Sequence, residues 1–179
     1  IMNHKIKSIG LLGGSFDPIH LGHTQIAKTV LQSCQLDEIQ FIPNHQPATD
    51  KILQATPEQR LDMVKLAILH EPNFTVNDIE VLRKGRSYTI DTLKAVRLKH
   101  PNQSLNFIMG LDAFLTINLW QGHDEYMSLC NIIIVNRGVN NRIENSPAED
   151  LFHNHYTTSI KSIHEHTHGH IILLNTPSL

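Results

Sequence analysis

Short apolar runs alternate with amphipathic segments along most of the chain. Residues 8–12 predict a short buried strand, whereas residues 22–33 place their apolar side chains on one face, as a helix does. Residues 38–42 alternate between apolar and polar side chains and stop at Pro43, which predicts a second strand. The opening third of the chain therefore favours a strand–helix–strand order.

A helix start is encoded near residue 56. Thr56 suits the N-cap, Pro57 the first helical position and Gln59 the third, and the apolar spacing continues to about residue 70. The remaining pattern predicts extended chain at 74–81, helices at 89–99 and 112–119, and strands at 105–109, 131–135 and 171–174. A loop is predicted at 44–55, and residues 140–160 are too polar to assign.

The alternation of strands and helices predicts an α/β fold, a Rossmann-like parallel sheet with helices on both faces. The whole of residues 1–179 is predicted to form one domain, because it contains no low-complexity linker and no internal repeat. In such sheets ligands bind beyond the carboxyl ends of the strands. The segments around Gly13, Gly110 and Arg137 each follow a predicted strand, so we expect them at one edge.

Composition narrows the class of protein. The 179 residues are 40% apolar and 18% charged with a net charge of −2, which fits a soluble globular protein and predicts no nucleic-acid partner. We expect no membrane span and no secretory signal, since the first seven residues hold no long apolar segment. Cys34 and Cys130, far apart, are interpreted as reduced thiols of a cytoplasmic protein.

The segment from Gly13 to His23, GGSFDPIHLGH, carries the strongest chemical signal. Glycines allow a close approach of the backbone to an anion, and amides at a helix start face it. Imidazoles at His20 and His23 add donors, so the segment predicts a polyphosphate site. A tight turn, using Gly13, Gly14 and Asp17, is one alternative, and metal binding by the two histidines is another.

This segment resembles the signature of the H-x-G-H nucleotidyltransferases. Within that superfamily the chain is most similar to the bacterial nicotinate-nucleotide adenylyltransferases. The similarity extends over several segments: Ile42-Pro43-Asn44, Ser87-Tyr88-Thr89-Ile90-Asp91-Thr92-Leu93, Gly110-Leu111-Asp112 with Trp120, and Val135-Asn136-Arg137-Gly138.

The resemblance implies which residues form the site. His20 and His23 would be catalytic, contacting the ATP phosphates. The ATP-binding residues would be Gly13, Gly14, Ser15, Phe16, Gly110, Asp112 and Arg137, and the substrate-binding residues Pro43, Lys51, Thr89, Ile90 and Trp120. From the residues alone, Trp120 also suits a core position, while Thr89 and Asp112 also suit helix caps.

The implied reaction joins ATP to nicotinate mononucleotide and releases pyrophosphate, with Mg²⁺ accompanying ATP and no protein-bound metal. One alternative is another adenylyltransferase of the superfamily, acting on pantetheine phosphate. The other is a nucleotide- or metal-binding protein without turnover. The sequence does not indicate an oligomeric state.

The chain departs from the family at three places. Gln121 follows Trp120 where the family often has tyrosine or lysine. Thr49 stands where a histidine is usual, which displaces the following base to Lys51 and weakens its assignment to phosphate. The sequence to Leu179 contains no I-S-x-T-x-x-R segment, so we expect the ATP site to lack one wall. A separate feature is the stretch of residues 153–170, which holds six histidines. These could bind nickel, zinc or copper, although a solvated hairpin or loop is the favoured interpretation.

Overall fold

A parallel sheet organises the molecule, whose computed structural model describes residues 6–138 and 142–177. Six strands lie in the order β3-β2-β1-β4-β5-β6, and every pair of neighbouring strands is parallel. Their bounds are β1 Ser8–Gly14, β2 Glu38–Pro43, β3 Phe74–Val76, β4 Ser104–Gly110, β5 Asn131–Arg137 and β6 Ile171–Thr176. The predicted Rossmann-like fold class is confirmed.

Helices connect successive strands. They are α1 Leu21–Ser33, α2 Pro57–Ala67, α3 Ile79–Leu82, α4 Thr89–Lys99, α5 Leu111–Phe114, α6 Glu149–His155 and α7 Lys161–Glu165. Short 3₁₀ helices cover Ile117–Leu119 and His123–Ser128. Among the described residues, none of the helices is long and apolar enough to cross a membrane.

Two apolar clusters cover the two faces of the sheet, as the predicted helices on both faces require. Successive strand residues point to opposite faces, so Ile132 packs in the cluster with α4 while Ile133 packs in the cluster with α1. Strand β5 is buried on both faces, with a burial pattern unbroken until Arg137. Cys34 and Cys130 are free and buried, one in each cluster.

Several predicted elements differ from the structure. The extended segment predicted at 74–81 ends at Val76, because Asn77 accepts the amide of Ile79 through its side chain and starts a turn into α3. The helix predicted at 112–119 is divided, since the Thr116 hydroxyl donates to the carbonyl of Ala113 and competes with the helical bond. The Thr56 cap is confirmed by its capping box with Gln59, but α2 ends at Ala67.

Candidate active site

The site lies at the carboxyl edge of the sheet, where the strand order reverses between β1 and β4. Two cavities open there. The first, here the Arg137 cavity, has a volume of about 790 Å³ and is lined by Leu12, Ile26, Gly110, Asp112, Arg137 and Arg142 among others. The second, the Trp120 cavity, has about 550 Å³ and is lined by residues that include Gly13, Gly14, Glu80, Thr89, Thr92 and Trp120.

His20 and His23 stand at the start of α1. Along the chain they lie between Gly14, which lines the Trp120 cavity, and Ile26, which lines the Arg137 cavity. His20 is the N-cap residue, and its ring stacks on that of His23 with centroids 3.8 Å apart and an interplanar angle of 24°. Two imidazoles are thus paired at the helix N-terminus, where amides favour an anion.

The hydrogen bonds of the pair determine which ring nitrogen carries the proton. The amide of Gly22 donates to Nδ1 of His20, and the amide of His20 donates to Nδ1 of His23, both at 3.1 Å. A neutral imidazole that accepts at Nδ1 carries its hydrogen on Nε2. Both rings therefore present an Nε2–H donor, and the prediction that they act as donors to an oxyanion agrees with this geometry.

Gly22 makes room for that arrangement. A Cβ at Gly22 would lie 3.0 Å from both Cε1 and Nδ1 of His20, closer than side chains normally approach. The glycine of the H-x-G-H motif therefore lets the His20 ring fold back over the helix start.

The ring of His23 also contacts the ring of Phe16. Phe16 is 3% exposed and packs edge-on against His23, with centroids 5.0 Å apart. Its backbone has φ of 49°, a left-handed conformation that is uncommon for a bulky residue and typical of functional turns. The side chain of Phe16 lies in the core, so its contribution is to position the turn rather than to line a cavity.

The pKa of His23 is lowered to about 4. Burial is the largest cause, because it disfavours the charged imidazolium, and the positive charges of His20, Arg137 and Lys51 act in the same direction. His23 is therefore neutral at pH 7 and remains an Nε2–H donor well into the acid range. The exposed Lys51 belongs to the same electrostatic environment.

Asp17 secures the loop that follows β2. Its carboxylate accepts the amides of Gln54 at 2.6 Å and Ala55 at 2.9 Å. The Gln54 hydrogen bond is the main reason that the pKa of Asp17 lies below its ordinary value. Gly13 and Gly14 are the last residues of β1 and the turn lies at Asp17 and Pro18, so the tight-turn alternative applies to Asp17 but not to the two glycines.

Arg60 is fully buried and links the segment that follows β1 to the loop that follows β2. Its guanidinium donates to the carbonyls of Ser15 and His45, both at 2.8 Å, to Oδ1 of Asn44 at 3.1 Å and to the carbonyl of Ala55 at 3.2 Å. No role was predicted for Arg60 from the sequence. Its signal was its place on the buried stripe with Val64 and Ile68, at intervals of four residues.

In the Arg137 cavity, Gly110 and Asp112 lie at the end of β4 and the start of α5. Asp112 does not cap α5, whose N-cap is Gly110 without a side-chain bond. Its exposed carboxylate instead pairs closely with Arg142, which also lines the cavity. Sequence reasoning missed Arg142.

In the Trp120 cavity, Trp120 packs edge-on against Phe107 and Tyr126, with centroids 6.2 and 6.4 Å away. It is half-buried and lines the cavity, so it combines the two positions considered for it. Thr89 is the first residue of α4 and lines the cavity, while the N-cap is Tyr88.

Other predicted substrate residues lie around the Trp120 cavity. Ile90 is 3% exposed, and its side chain belongs to the core rather than to the cavity wall, so only its backbone could meet a ligand. Pro43 is buried at the end of β2. Next to it, the loop carrying Pro47 and Ala48 lines the cavity, and Arg86 holds that loop by donating to the Ala48 carbonyl at 2.8 Å.

The histidine-rich stretch is only partly the predicted loop: α6 ends within it at His155 and α7 covers Lys161–Glu165, while residues 156–160 and 166–170 lie outside helices. His164 is buried, with Nε2 2.9 Å from the carbonyl of Cys34, and His166 stacks on His170 with centroids 4.8 Å apart. The described residues contain one group whose ligand atoms could together reach a metal ion, namely Glu144, Glu149 and His153, and it lies on the surface.

Comparisons with known proteins show which family the chain belongs to. The model of the cytidylyltransferase-like family matches residues 11–167. The chain is 35% identical over 179 residues to a probable nicotinate-nucleotide adenylyltransferase of Psychromonas ingrahamii, across 99% of this chain and 83% of the relative. It is 39% identical over 165 residues to one from Coxiella burnetii, across 91% of this chain and 76% of the relative.

Solved structures share the fold. The nicotinic acid mononucleotide adenylyltransferase of Plasmodium falciparum, complexed with NaAD, superposes with a TM-score of 0.70 at 23% identity, over 97% of this chain and 77% of that one. A nicotinate-nucleotide adenylyltransferase structure from Vibrio parahaemolyticus gives a TM-score of 0.58 at 20% identity, over 83% and 80% of the two chains.

Proposed function

This chain belongs to the cytidylyltransferase-like family and, within it, to the nicotinate-nucleotide adenylyltransferases. From that premise we propose that it transfers the adenylyl group of ATP to nicotinate mononucleotide, giving deamido-NAD and pyrophosphate in NAD biosynthesis. The two cavities would receive the two nucleotides, with the reacting phosphates meeting at the histidine pair.

The ATP phosphates would lie at the start of α1. The Nε2–H groups of His20 and His23 would donate to phosphate oxygens, supported by the backbone amides at the end of β1, where Gly13 and Gly14 lie. Adenosine would then occupy the Arg137 cavity, where Asp112 would accept a hydrogen bond from the ribose after exchanging its contact with Arg142.

Nicotinate mononucleotide would occupy the Trp120 cavity. The indole of Trp120 offers a flat surface for the pyridine ring, and Thr89 together with the backbone of Ile90 at the start of α4 offers donors to its carboxylate. Lys51 carries a positive charge near His23 and would attract the 5′-phosphate.

The reaction itself needs no protein base. An oxygen of the 5′-phosphate attacks the α-phosphorus of ATP in line, the bond from that phosphorus to the bridging oxygen breaks, and pyrophosphate leaves with the electron pair. The nucleophile is already an anion, so the protein supplies positioning and neutralises the charge that develops on phosphate oxygens. Neutral His23 would donate its Nε2–H to a phosphate oxygen while its Nδ1 continues to accept the amide of His20.

Magnesium would enter with ATP. The residues of the site fit a magnesium ion that is held by ATP rather than by the protein. The carboxylate of Asp17 already accepts two backbone amides, and the site offers mainly N–H donors, which bind phosphate oxygens and not a metal ion. When bound to the phosphates, Mg²⁺ supplies further neutralisation of their charge. The protein residues would bind the remaining phosphate oxygens.

The observation that carries the proposal is the pair of Nδ1-accepting imidazoles at the start of α1, which along the chain lie between Gly14 of the Trp120 cavity and Ile26 of the Arg137 cavity. The test is a substrate panel with ATP and Mg²⁺, in which pyrophosphate release is measured with nicotinate mononucleotide, nicotinamide mononucleotide and phosphopantetheine. We expect release to be fastest with nicotinate mononucleotide. Preferential release with phosphopantetheine would instead assign the chain to the pantetheine-phosphate reaction.

We further propose a cytoplasmic location. Burial raises the pKa of Cys34 to about 11 and of Cys130 to about 12, so both thiols are protonated and poorly reactive. Since they lie in different clusters and are free, the fold does not depend on an oxidising compartment. Normal unfolding temperatures in the presence of a strong reductant would support this, and a marked loss of stability would contradict it.

A further inference from the structure

A buried carboxylate lines the Trp120 cavity. Glu80, on the short helix α3, is 9% exposed and belongs to the cavity wall with Ser87 and Thr92. A negative charge at this place is unexpected in a cavity proposed to bind an anionic pyridine carboxylate, because like charges repel most strongly where water is excluded.

A nearby cation balances that charge. Nη2 of Arg83 donates to the Thr92 hydroxyl at 2.9 Å, and the same hydroxyl donates to Oε2 of Glu80 at 2.7 Å. The Ser87 side chain also hydrogen bonds to the carboxylate. Burial raises the pKa of Glu80, while the hydrogen bond from Thr92 and the charge of Arg83 oppose that rise. The Thr92 hydroxyl therefore connects a carboxylate to a guanidinium.

The two charges occupy different positions relative to the cavity. Glu80 and Thr92 are part of its wall, whereas Arg83 is half-buried behind Thr92. The carboxylate disfavours an anion in the cavity, and the guanidinium, which is not part of the cavity wall, offsets this effect from the far side of the Thr92 hydroxyl. Removing either charge alone leaves the other uncompensated, with opposite consequences for an anionic ligand.

We propose that Glu80 and Arg83, connected through the Thr92 hydroxyl, are specificity-determining residues whose charge balance sets how strongly the Trp120 cavity prefers a nicotinate carboxylate over a neutral carboxamide. This inference rests on the proposed function, because it assumes that the pyridine ring binds in this cavity. Nicotinate and nicotinamide mononucleotides have nearly the same shape, so their ratio of kcat/KM values reports mainly on charge.

The test compares that ratio in the wild-type protein, Glu80→Gln, Arg83→Gln and the double variant, at about pH 8, where an ordinary carboxylate is ionised. Glu80→Gln keeps an acceptor for Thr92 and should raise the preference for nicotinate roughly three- to tenfold. Arg83→Gln should lower it by a similar factor. The double variant should return to near the wild-type ratio, because both charges are removed.

Matched controls account for overall charge. Asp78→Asn and Lys84→Gln remove exposed charges next to the pair and should leave the ratio unchanged. Should Arg83→Gln fail to fold, Glu80→Gln and the double variant still test the proposal. Shifts of both single variants in the same direction, or an unchanged ratio in Glu80→Gln, would overturn it. Absence of turnover by the wild-type protein would instead contradict the proposed function.

Discussion

Nδ1 of His23 accepts the backbone amide of His20 at 3.1 Å, so the second histidine of the motif fixes the position of the first. This bond and the amide that Gly22 donates to His20 leave both Nε2–H groups available. The spacing of the H-x-G-H motif thus has a physical reason, because a capping box made of two imidazoles requires residues at the N-cap and at the third helical position.

Replacing His20 separates its capping role from its role as a donor. His20→Ala should lower kcat roughly 10²–10³-fold, the usual effect of losing one donor to a developing oxyanion. His20→Asn should restore the helix cap, because asparagine is a favoured N-cap residue, yet it should not restore kcat. His70→Ala, at an exposed position, is the control for steady-state pyrophosphate release. Recovery of turnover in His20→Asn would assign His20 to capping alone.

The pKa of His23 should be observable directly. A titration of the His23 ring followed by NMR should give a value of about 4, well below the ordinary 6.5. In the unfolded chain the ring binds a proton near its ordinary pKa, while the folded protein resists protonation until about pH 4. Acidification between these values should therefore lower the free energy of unfolding.

The matched variant for this effect is His23→Asn. Across the same pH range, its free energy of unfolding should fall less steeply than that of the wild-type protein, as measured by urea denaturation. Equal pH dependence of the two proteins would show that the His23 ring is not held neutral.

Arg60 should matter for both stability and substrate binding. Arg60→Met leaves the carbonyls of Ser15 and His45 without their buried donor, so we expect a loss of about 2–4 kcal/mol in unfolding free energy. The turn and the loop would also separate, raising KM for both substrates. Lys65→Met, exposed on the same helix, should change neither quantity. A rise in only one KM would show that Arg60 supports one segment rather than both.

Replacement of Asp112 should raise KM for ATP, whereas replacement of Arg142 should not. Asp112→Asn weakens a charge-assisted bond to ribose, so KM for ATP should rise about tenfold with little change for nicotinate mononucleotide. Arg142→Gln releases the Asp112 carboxylate from its ion pair, so KM for ATP should fall or stay constant. A large rise of KM in Arg142→Gln would mean that this guanidinium binds ATP itself.

Chelation tests the proposed metal. Excess EDTA should abolish pyrophosphate release, and added Mg²⁺ should restore it in proportion to the concentration of the Mg²⁺–ATP complex, because the ion enters with the phosphates. The exposed group of Glu144, Glu149 and His153 is not needed for this effect, so Glu149→Gln should respond in the same way. Turnover that persists in EDTA would remove the metal from the account.

Local signals in the sequence predicted most of the sheet. Helix α4 runs from Thr89 to Lys99 as predicted, and the alternation of strands and helices was sufficient to identify the fold class. Helices α6 and α7 were missed because each buries a single hydrophobic side chain, Phe152 in α6 and Ile163 in α7, and one apolar position creates no recognisable periodicity. Helix α3 was missed because it depends on a turn made by Asn77.

The same distinction applies to the site, where local contacts could be predicted from the sequence and long-range contacts could not. The pairing of His20 with His23 is encoded within four residues and could be predicted, as could the position of Gly110 and Arg137 at the carboxyl ends of strands. The contacts of Arg60 with Ser15, 45 residues away in sequence, and of Thr92 with Glu80 exist only once the chain has folded. A single sequence shows neither which buried charges are compensated nor which partner compensates them.

The most direct test of the central claim uses ATP radiolabelled at the α-phosphorus, incubated with the protein, nicotinate mononucleotide and Mg²⁺. Transfer at the histidine pair predicts that the label appears in deamido-NAD in step with pyrophosphate, and that His20→Asn slows both equally. Label that remains in ATP, or appears in AMP without dinucleotide, would contradict adenylyl transfer to nicotinate mononucleotide.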